Sequence, residues 1–132
     1  MVTSEQWKQQ AIQAFEAANA MYELSLFRDS ASRAYYSAYQ IATSACIGHG
    51  DEKNFPSGWN NPSHEQLPEL IKSNGDLPKW DRKEVAHHLR YLRTIREDAD
   101  YRPGRTVDAG VSLSCLRAAA SVLRCLGVKK EE

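Results

Sequence analysis

Apolar residues recur every three to four positions along most of the chain, which is the spacing of helices that bury one face. The first such stretch opens with Thr3-Ser4-Glu5-Gln6, the T-x-x-Q spacing of a capping box. A second, alanine-lined stretch runs from Phe27 to glycines at positions 48 and 50, where a left-handed stop costs little. The apolar positions of these two predicted helices are Ala11, Phe15, Ala18 and Tyr22, then Phe27, Ala31, Ala34, Tyr35, Ala38, Ile41, Ala42 and Ala45.

A polar interruption follows the second predicted helix. Between His49 and Pro62 the chain carries three asparagines, two prolines and two glycines, so we predict a loop that Phe55 and Trp59 hold against the protein. Ser63-His64-Glu65-Gln66 is a second capping box, and it opens a short helix that ends near Asn74-Gly75.

Two longer helices complete the predicted architecture. One starts at Leu77-Pro78, since proline is tolerated in a first turn, and ends at Pro103-Gly104. Asp108 caps the other, which runs to Gly127. Their apolar positions are Val85, Leu89, Leu92, Ile95 and Ala99, then Leu113, Leu116, Ala120 and Leu123. No stretch alternates like a strand, so the predicted fold is all-α: an antiparallel up-and-down bundle of four long helices plus one short helix, in a single domain over residues 1–128 with a charged tail at 129–132.

Composition excludes some classes of function but does not identify one. The formal net charge is zero, so no overall positive field points to nucleic acid. Cys46, Cys115 and Cys125 cannot all pair and form no C-x-x-C motif, which predicts buried thiols in a reduced compartment. The N-terminus lacks a signal-peptide pattern, and no run of about 18 apolar residues occurs. We therefore expect a cytoplasmic protein with no membrane contact.

One segment of this neutral chain, residues 82–105, is locally basic. Arg96 falls within the apolar stripe of its predicted helix, where a guanidinium without an acceptor would be costly to bury. Asp100, four residues on, can clamp it. The alternative is an anion or nucleic-acid site made by Arg93, Arg96 and Arg102. The seven basic residues of the segment are Arg82, Lys83, Arg90, Arg93, Arg96, Arg102 and Arg105, against four acids, Glu84, Glu97, Asp98 and Asp100.

A second polar group lies on the second predicted helix, opposite its alanine stripe. It consists of Asp29, Arg33, Tyr36 and Gln40. One interpretation is a solvated face with an Asp29–Arg33 pair. The other is a subunit interface at Arg33, Tyr36 and Gln40, because exposed tyrosines are enriched at interfaces.

The histidines do not form a metal-binding pattern along any helix. Adjacent His87 and His88 point about 100° apart around a helix, so they are poor co-ligands. Neither a nucleophile signature nor a glycine-rich phosphate loop is present. We therefore expect no metal site and no cofactor.

Three motifs in order resemble the HEPN superfamily of small prokaryotic helical domains, and its stand-alone members most closely. The resemblance extends over about residues 10 to 125, and it implies a helical bundle that commonly forms a homodimer. Many members of this superfamily are metal-independent ribonucleases that act as toxins or in phage defence, often with a small nucleotidyltransferase as antitoxin. The resemblance implies that this chain could share that activity and that partner. The motifs are Ser32-Arg33-Ala34-Tyr35-Tyr36-Ser37-Ala38-Tyr39, the capping Ser63-His64, and Leu92-Arg93-x-x-Arg96-x-x-Ala99-Asp100-Tyr101.

The resemblance also implies a catalytic motif, an arginine followed after four to six residues by a histidine in a dimeric cleft. Arg96 matches the motif arginine and Asp100 the polar residue before the histidine, but Tyr101 stands where the histidine is expected. The general acid or base is therefore missing from the motif. We expect a non-catalytic or degenerate HEPN-like domain that binds RNA, a nucleotide or a protein partner through a dimer groove near Arg96, Tyr101 and Arg102.

Two alternatives stay open. The first is an active ribonuclease toxin that uses Arg82 with His87 or His88, which match the motif spacing one or more turns earlier, or Arg96 with Tyr101. The second is a purely structural interaction module whose tyrosine face serves assembly.

Overall fold

Five α-helices form at the stretches in which apolar residues recur at helical spacing. The computed structural model describes residues 2–128, and the predicted tail at 129–132 lies outside them. The described residues contain no strand, so the predicted all-α bundle of four long helices and one short helix is confirmed. The helices are α1 (Ser4–Glu23), α2 (Phe27–His49), α3 (Leu67–Lys72), α4 (Lys79–Tyr101) and α5 (Ala109–Cys125), and a 3-10 helix at Asp51–Asn54 follows α2.

Helix ends lie where the capping signals predict them. Gln6 N donates to Thr3 Oγ1 at 3.1 Å, and Thr3 N donates to Gln6 Oε1 at 2.8 Å, which completes the capping box of α1. Gly50, with φ of 88°, ends α2 in the left-handed conformation. At the start of α5, Asp108 Oδ1 accepts a hydrogen bond of 2.9 Å from Val111 N.

A row of three serines sets the register between α1 and α2. Ser30, Ser37 and Ser44 are spaced by seven residues, so they lie along one line of α2. Each hydroxyl donates to a main-chain carbonyl of α1, which satisfies polar groups buried between two helices that pack through alanines. The acceptors are spaced by seven residues in the opposite direction, as antiparallel helices require. The bonds join Ser30 to Ala18 (2.8 Å), Ser37 to Ala11 (2.7 Å) and Ser44 to Ser4 (2.7 Å).

Helix α2 is the centre of the bundle, because α1, α3, α4 and α5 all pack on it. On its far side from α1 it meets the large apolar residues of α4 and α5, and each such side chain contributes about 1.5–3 kcal/mol on burial. None of the helices within residues 2–128 combines the length and apolar character that a membrane crossing needs. Fully buried residues of the core include Ile41, Val85, Leu89, Leu92, Val122 and the thiols Cys46 and Cys115.

The segment between α2 and α3 differs from its prediction in two ways. Phe55 is buried as expected, but Trp59 is 52% exposed and does not hold the loop. It ends a turn with Ser57-Gly58 at its tip, in which Trp59 N donates to Pro56 O. The Ser63–Gln66 capping box forms, yet the regular helix covers only Leu67–Lys72. It stops before Asn74, whose side chain accepts from Asp76 N at 3.0 Å and so favours a turn.

Candidate functional site

Arg96, near the end of α4, lies in a cage of aromatic and acidic side chains. Its Nη2 donates to Tyr36 Oη at 2.6 Å, and its Nε lies 3.1 Å from Asp100 Oδ2. The Nε–H is not directed at that oxygen, so the Asp100 contact is an ion pair without a hydrogen bond. The guanidinium carbon is also 5.2 Å from the Tyr36 ring centre and 5.3 Å from that of Tyr101. Nη2 is therefore engaged by tyrosine hydroxyls, while the buried Nε–H has no hydrogen-bond acceptor within residues 2–128.

Next to this cage, His64 packs among three tyrosines of α2, which we call the tyrosine–histidine cluster (Tyr35, Tyr36, Tyr39 and His64). The ring centres of Tyr39 and Tyr35 are 4.8 Å and 5.5 Å from that of His64. The cluster is held from the other side by the loop, because Tyr39 Oη donates to Pro62 O and accepts from Asn61. The capping box that opens at residue 63 thus places His64 against α2.

The hydrogen bond between Tyr35 and His64 determines which ring nitrogen carries the proton. Tyr35 is 1% exposed, and within residues 2–128 its hydroxyl has one hydrogen-bond partner, His64 Nδ1 at 2.5 Å. Burial raises the pKa of Tyr35 above its ordinary value, so the hydroxyl keeps its proton and needs an acceptor. Nδ1 is therefore the acceptor, and the proton of a neutral imidazole lies on Nε2.

His64 is neutral because its surroundings oppose a positive charge. Burial lowers the pKa of His64, and the charges of Arg96 and Arg93 lower it further. Its Nε2 has no hydrogen-bond partner within residues 2–128 and is not fully buried, so it reaches solvent. The arrangement presents a neutral N–H donor, not a base.

His64 lines a shallow pocket of about 290 Å³ between the start of α3 and the middle of α4. Arg90 and Arg93 line the same pocket, and both are bound to carboxylates: Arg90 to Glu69 at 2.7 Å and Arg93 to Glu97 at 3.2 Å. The remaining lining residues are Glu65, Pro68, Thr94 and Glu97. The pocket thus places two guanidinium groups and two carboxylates beside His64.

The three arginines predicted to form an anion site are not equivalent. Arg96 is caged, whereas Arg93 lines the pocket. Arg102, which follows α4, lies 3.0 Å from Asp98 and 3.6 Å from Glu97, the carboxylate that also binds Arg93. Glu97 therefore connects Arg93 to Arg102, and Arg96 stands apart from both.

The predicted face at Arg33, Tyr36 and Gln40 is not a single exposed surface. Arg33 forms no ion pair with Asp29 or any other residue in the described part of the chain. Gln40 is 8% exposed, and in the orientation that satisfies its amide the nitrogen lies 3.2 Å from Gln10 O of α1. Tyr36 is bound to Arg96. Gln40 is therefore not on an exposed face, because α2 is central and is covered on more than its alanine side. A subunit interface at Arg33 and the partly exposed Tyr36 remains a prediction.

The second match to the motif, Arg82 with His87 or His88, is not assembled as a pair. Arg82 Nη1 donates to Lys72 O at 3.2 Å, while His87 is exposed and binds neither Arg82 nor an acid within residues 2–128. His88 Nε2 lies 3.6 Å from Glu84 on its own helix.

The HEPN domain family matches this chain over residues 4–130, nearly its whole length. The chain belongs to the HEPN domain family. Comparison with curated proteins gives no match. In this HEPN domain, the residues that the sequence motifs place on α2 and α4, Tyr36 and Arg96, are in direct contact.

His64 was not among the site residues predicted for this HEPN domain, although it stands in a predicted capping box and in one of the three motifs of the resemblance. The available signal was the order of the motifs, since Ser63-His64 stands between the tyrosine motif of α2 and the arginine motif of α4. Arg28 was also not predicted as a site residue; its guanidinium donates to Asp98 O at 3.0 Å and to Ala99 O at 3.2 Å, two carbonyls at the end of α4. A cation there also suits the negative end of the helix dipole.

Proposed function

We propose that this HEPN domain binds RNA through backbone phosphate at the pocket of His64, Arg90 and Arg93, and that it does not cleave it. The observation that carries the proposal is the hydrogen bond of Tyr35 to His64 Nδ1, which leaves the ring proton on Nε2 of a histidine whose pocket Arg90 and Arg93 also line. A neutral N–H can donate to a phosphate oxygen. It cannot accept a proton from a 2′-hydroxyl, so it does not supply the base that cleavage needs.

The carboxylates that hold the two arginines do not prevent phosphate binding. The side chains of Arg90 and Arg93 are 48% and 39% exposed, and exposed ion pairs contribute only about 0–1 kcal/mol. A phosphate can therefore take donors of either guanidinium without a large loss. Glu97 is the main competitor, because it forms an ion pair with Arg93, lines the pocket and lies near Arg102.

The test is binding of fluorescently labelled single-stranded RNA, measured by anisotropy over a series of salt concentrations. The double variant Arg90→Gln with Arg93→Gln is expected to weaken RNA binding by about tenfold or more. The slope of log K against log salt concentration is expected to become shallower by about 0.7 for each phosphate that is no longer bound. Arg117→Gln is the matched control, because Arg117 is an exposed arginine on α5 away from the pocket. An equal loss in the control variant would mean that binding is non-specific.

Two further variants address the chemistry of the pocket. Glu97→Gln removes the competing charge and is expected to tighten binding. His64→Phe keeps a ring in the cluster but removes the Nε2–H, and is combined with Tyr35→Phe so that no hydroxyl is left without an acceptor. This double variant is expected to bind RNA more weakly than Tyr35→Phe alone, in which the imidazole can still carry its proton on Nε2.

Incubation with RNA separates binding from the ribonuclease alternative. Cleavage by the wild-type domain that is lost in His64→Phe would overturn the non-catalytic assignment. The homodimer remains a prediction that rests on the frequent dimerisation of HEPN domains, and the nucleotidyltransferase partner remains a prediction as well.

A further inference from the structure

The most exposed large hydrophobic side chain within residues 2–128 is that of Trp80, in the first turn of α4, at 80%. Aromatic side chains bury more apolar area than others when they are covered, so an uncovered indole on a regular helix favours contact with a flat or apolar ligand. The neighbours of Trp80 on the helix indicate which kind of ligand this is.

Trp80 belongs to an exposed row of side chains, which we call the outer face of α4. Their spacing of three and four residues places them on one side of the helix. The two acids of this part of α4, Asp81 and Glu84, lie near Cys125 of α5 and not in this row. The outer face therefore carries two fixed positive charges and no carboxylate between residues 80 and 94. Its members are Trp80, Lys83, His87, Arg90 and Thr94.

The outer face of α4 is continuous with the pocket beside His64. Arg90 and Thr94 line that pocket, and Trp80 precedes Arg90 by about 15 Å along the helix axis. Lys83, between them, is exposed and forms no ion pair within residues 2–128. Nucleotides of a stacked strand are about 3.4 Å apart, so about four nucleotides or fewer cover the distance from the pocket to the indole.

The residues of the outer face favour a nucleic-acid strand over a protein as the occupant. The core of a protein interface is depleted of charged residues, whereas here the tryptophan is followed by Lys83 and Arg90 and by no second large apolar side chain. Rings that stack bases, beside cations that hold phosphates, are the combination by which proteins bind single strands. A duplex fits less well, because its bases are already stacked on one another.

We propose that an RNA single strand bound at the pocket continues along the outer face of α4, with a phosphate on Lys83 and an unpaired base stacked on Trp80. The inference rests on the proposed RNA binding, and it adds a contact to a base where the pocket contacts phosphate. Stacking accepts any base, so Trp80 selects unpaired RNA and not a particular sequence.

The test compares a labelled ten-nucleotide RNA, a length of about twice the span, with the same sugar-phosphate strand without bases, both measured by fluorescence anisotropy. Trp80→Leu is expected to weaken binding of the RNA by about fivefold or more, the loss that base–aromatic stacking predicts. Its affinity for the abasic strand and its salt slope are expected to equal those of the wild type, because the indole binds no phosphate. Trp80→Tyr keeps a stacking ring and is expected to restore most of the affinity.

Two further variants separate this site from the pocket. Trp59→Leu is the matched control, because Trp59 is 52% exposed and lies outside α4. Lys83→Gln is expected to weaken binding of both strands and to make the salt slope shallower by about 0.7. Unchanged RNA affinity in Trp80→Leu, or an equal loss for the abasic strand, would overturn the stacking site even where the Arg90→Gln and Arg93→Gln variant binds weakly. A loss in Trp80→Leu without a loss in that double variant would support the stacking site and refute the pocket.

Discussion

Arg96→Ala removes a guanidinium that holds residues of α2 and α4 together. The Arg96 side chain is 13% exposed, and it contacts Tyr36 and Asp100. If its role is structural, the substitution lowers the free energy of unfolding and leaves the RNA affinity of the folded protein nearly unchanged. If Arg96 is the anion ligand, the affinity falls and the stability does not.

The expected loss of stability follows from the contacts. The hydrogen bond from Arg96 to Tyr36 has a charged donor, and such bonds contribute about 1.5–3 kcal/mol. The aromatic contacts add about 0.5–1 kcal/mol each where they are partly exposed. The Asp100 pair adds about 0–1 kcal/mol, since Asp100 is 29% exposed and solvent screens it. Because the wild type also bears the cost of burying the charge, the net loss is about 3 kcal/mol.

Urea denaturation followed by far-ultraviolet circular dichroism measures this loss. With a slope of about 2 kcal/mol per molar urea, the midpoint is expected to fall by about 1.5 M for Arg96→Ala. Arg93→Ala is the matched control, because Arg93 lies on the same helix and is 39% exposed, and its midpoint is expected to change little. An unchanged midpoint for Arg96→Ala together with a large loss of RNA affinity would refute the structural role and return Arg96 to the binding site.

Three further predictions test other contacts. Ser37→Ala loses the hydrogen bond to Ala11 O and is expected to cost about 1 kcal/mol in urea denaturation, whereas Ser37→Leu is expected to cost more because α1 must move away. Asp76, through its hydrogen bond, raises the pKa of His49, so this contact stabilises the fold below the unfolded pKa of about 6.5 and its effect is lost as pH rises through the folded pKa. The Tm difference between wild type and His49→Asn is therefore expected to be larger at about pH 5.5 than at about pH 8.5, and the reverse order would contradict the assignment. Nitrogen-15 NMR of the folded protein near pH 7 is expected to show His64 neutral with the proton on Nε2, and a protonated Nδ1 would remove the basis of the RNA-binding proposal.

The helix boundaries and the Arg96–Asp100 contact could be predicted because their causes are local. Capping boxes, glycines and a four-residue spacing act within one or two turns, and the sequence shows them directly. The seven-residue spacing of the α2 serines is also visible in the sequence. The carbonyls that accept their hydrogen bonds could not be predicted, because they depend on which helix packs against α2 and in which direction.

The contacts that were not predicted join residues far apart in the sequence. Gln40 was assigned to a solvated face because a helix with one apolar stripe is usually covered on one side only. Helix α2 is covered on several sides, and serine and glutamine can line such contacts when each polar atom has a partner. The polarity of a residue therefore did not indicate its exposure on this helix.

His64 lies near Arg96, although the residue at position 101, where the HEPN resemblance places a histidine, is a tyrosine. Arg96 holds Tyr36 and lowers the pKa of His64, while Tyr35 fixes the proton on Nε2. A histidine at position 101 would instead lie at a site that is 68% exposed at the end of α4, with no buried hydroxyl to set its tautomer. His64 instead lies in the pocket beside Arg93, and its hydrogen bond with Tyr35 sets its tautomer. For this reason the Tyr35→Phe variant is informative: loss of the tyrosine frees Nδ1 to take the proton, and any cleavage activity that appears in that variant alone would identify the Tyr35 hydroxyl as the group that keeps His64 from acting as a base.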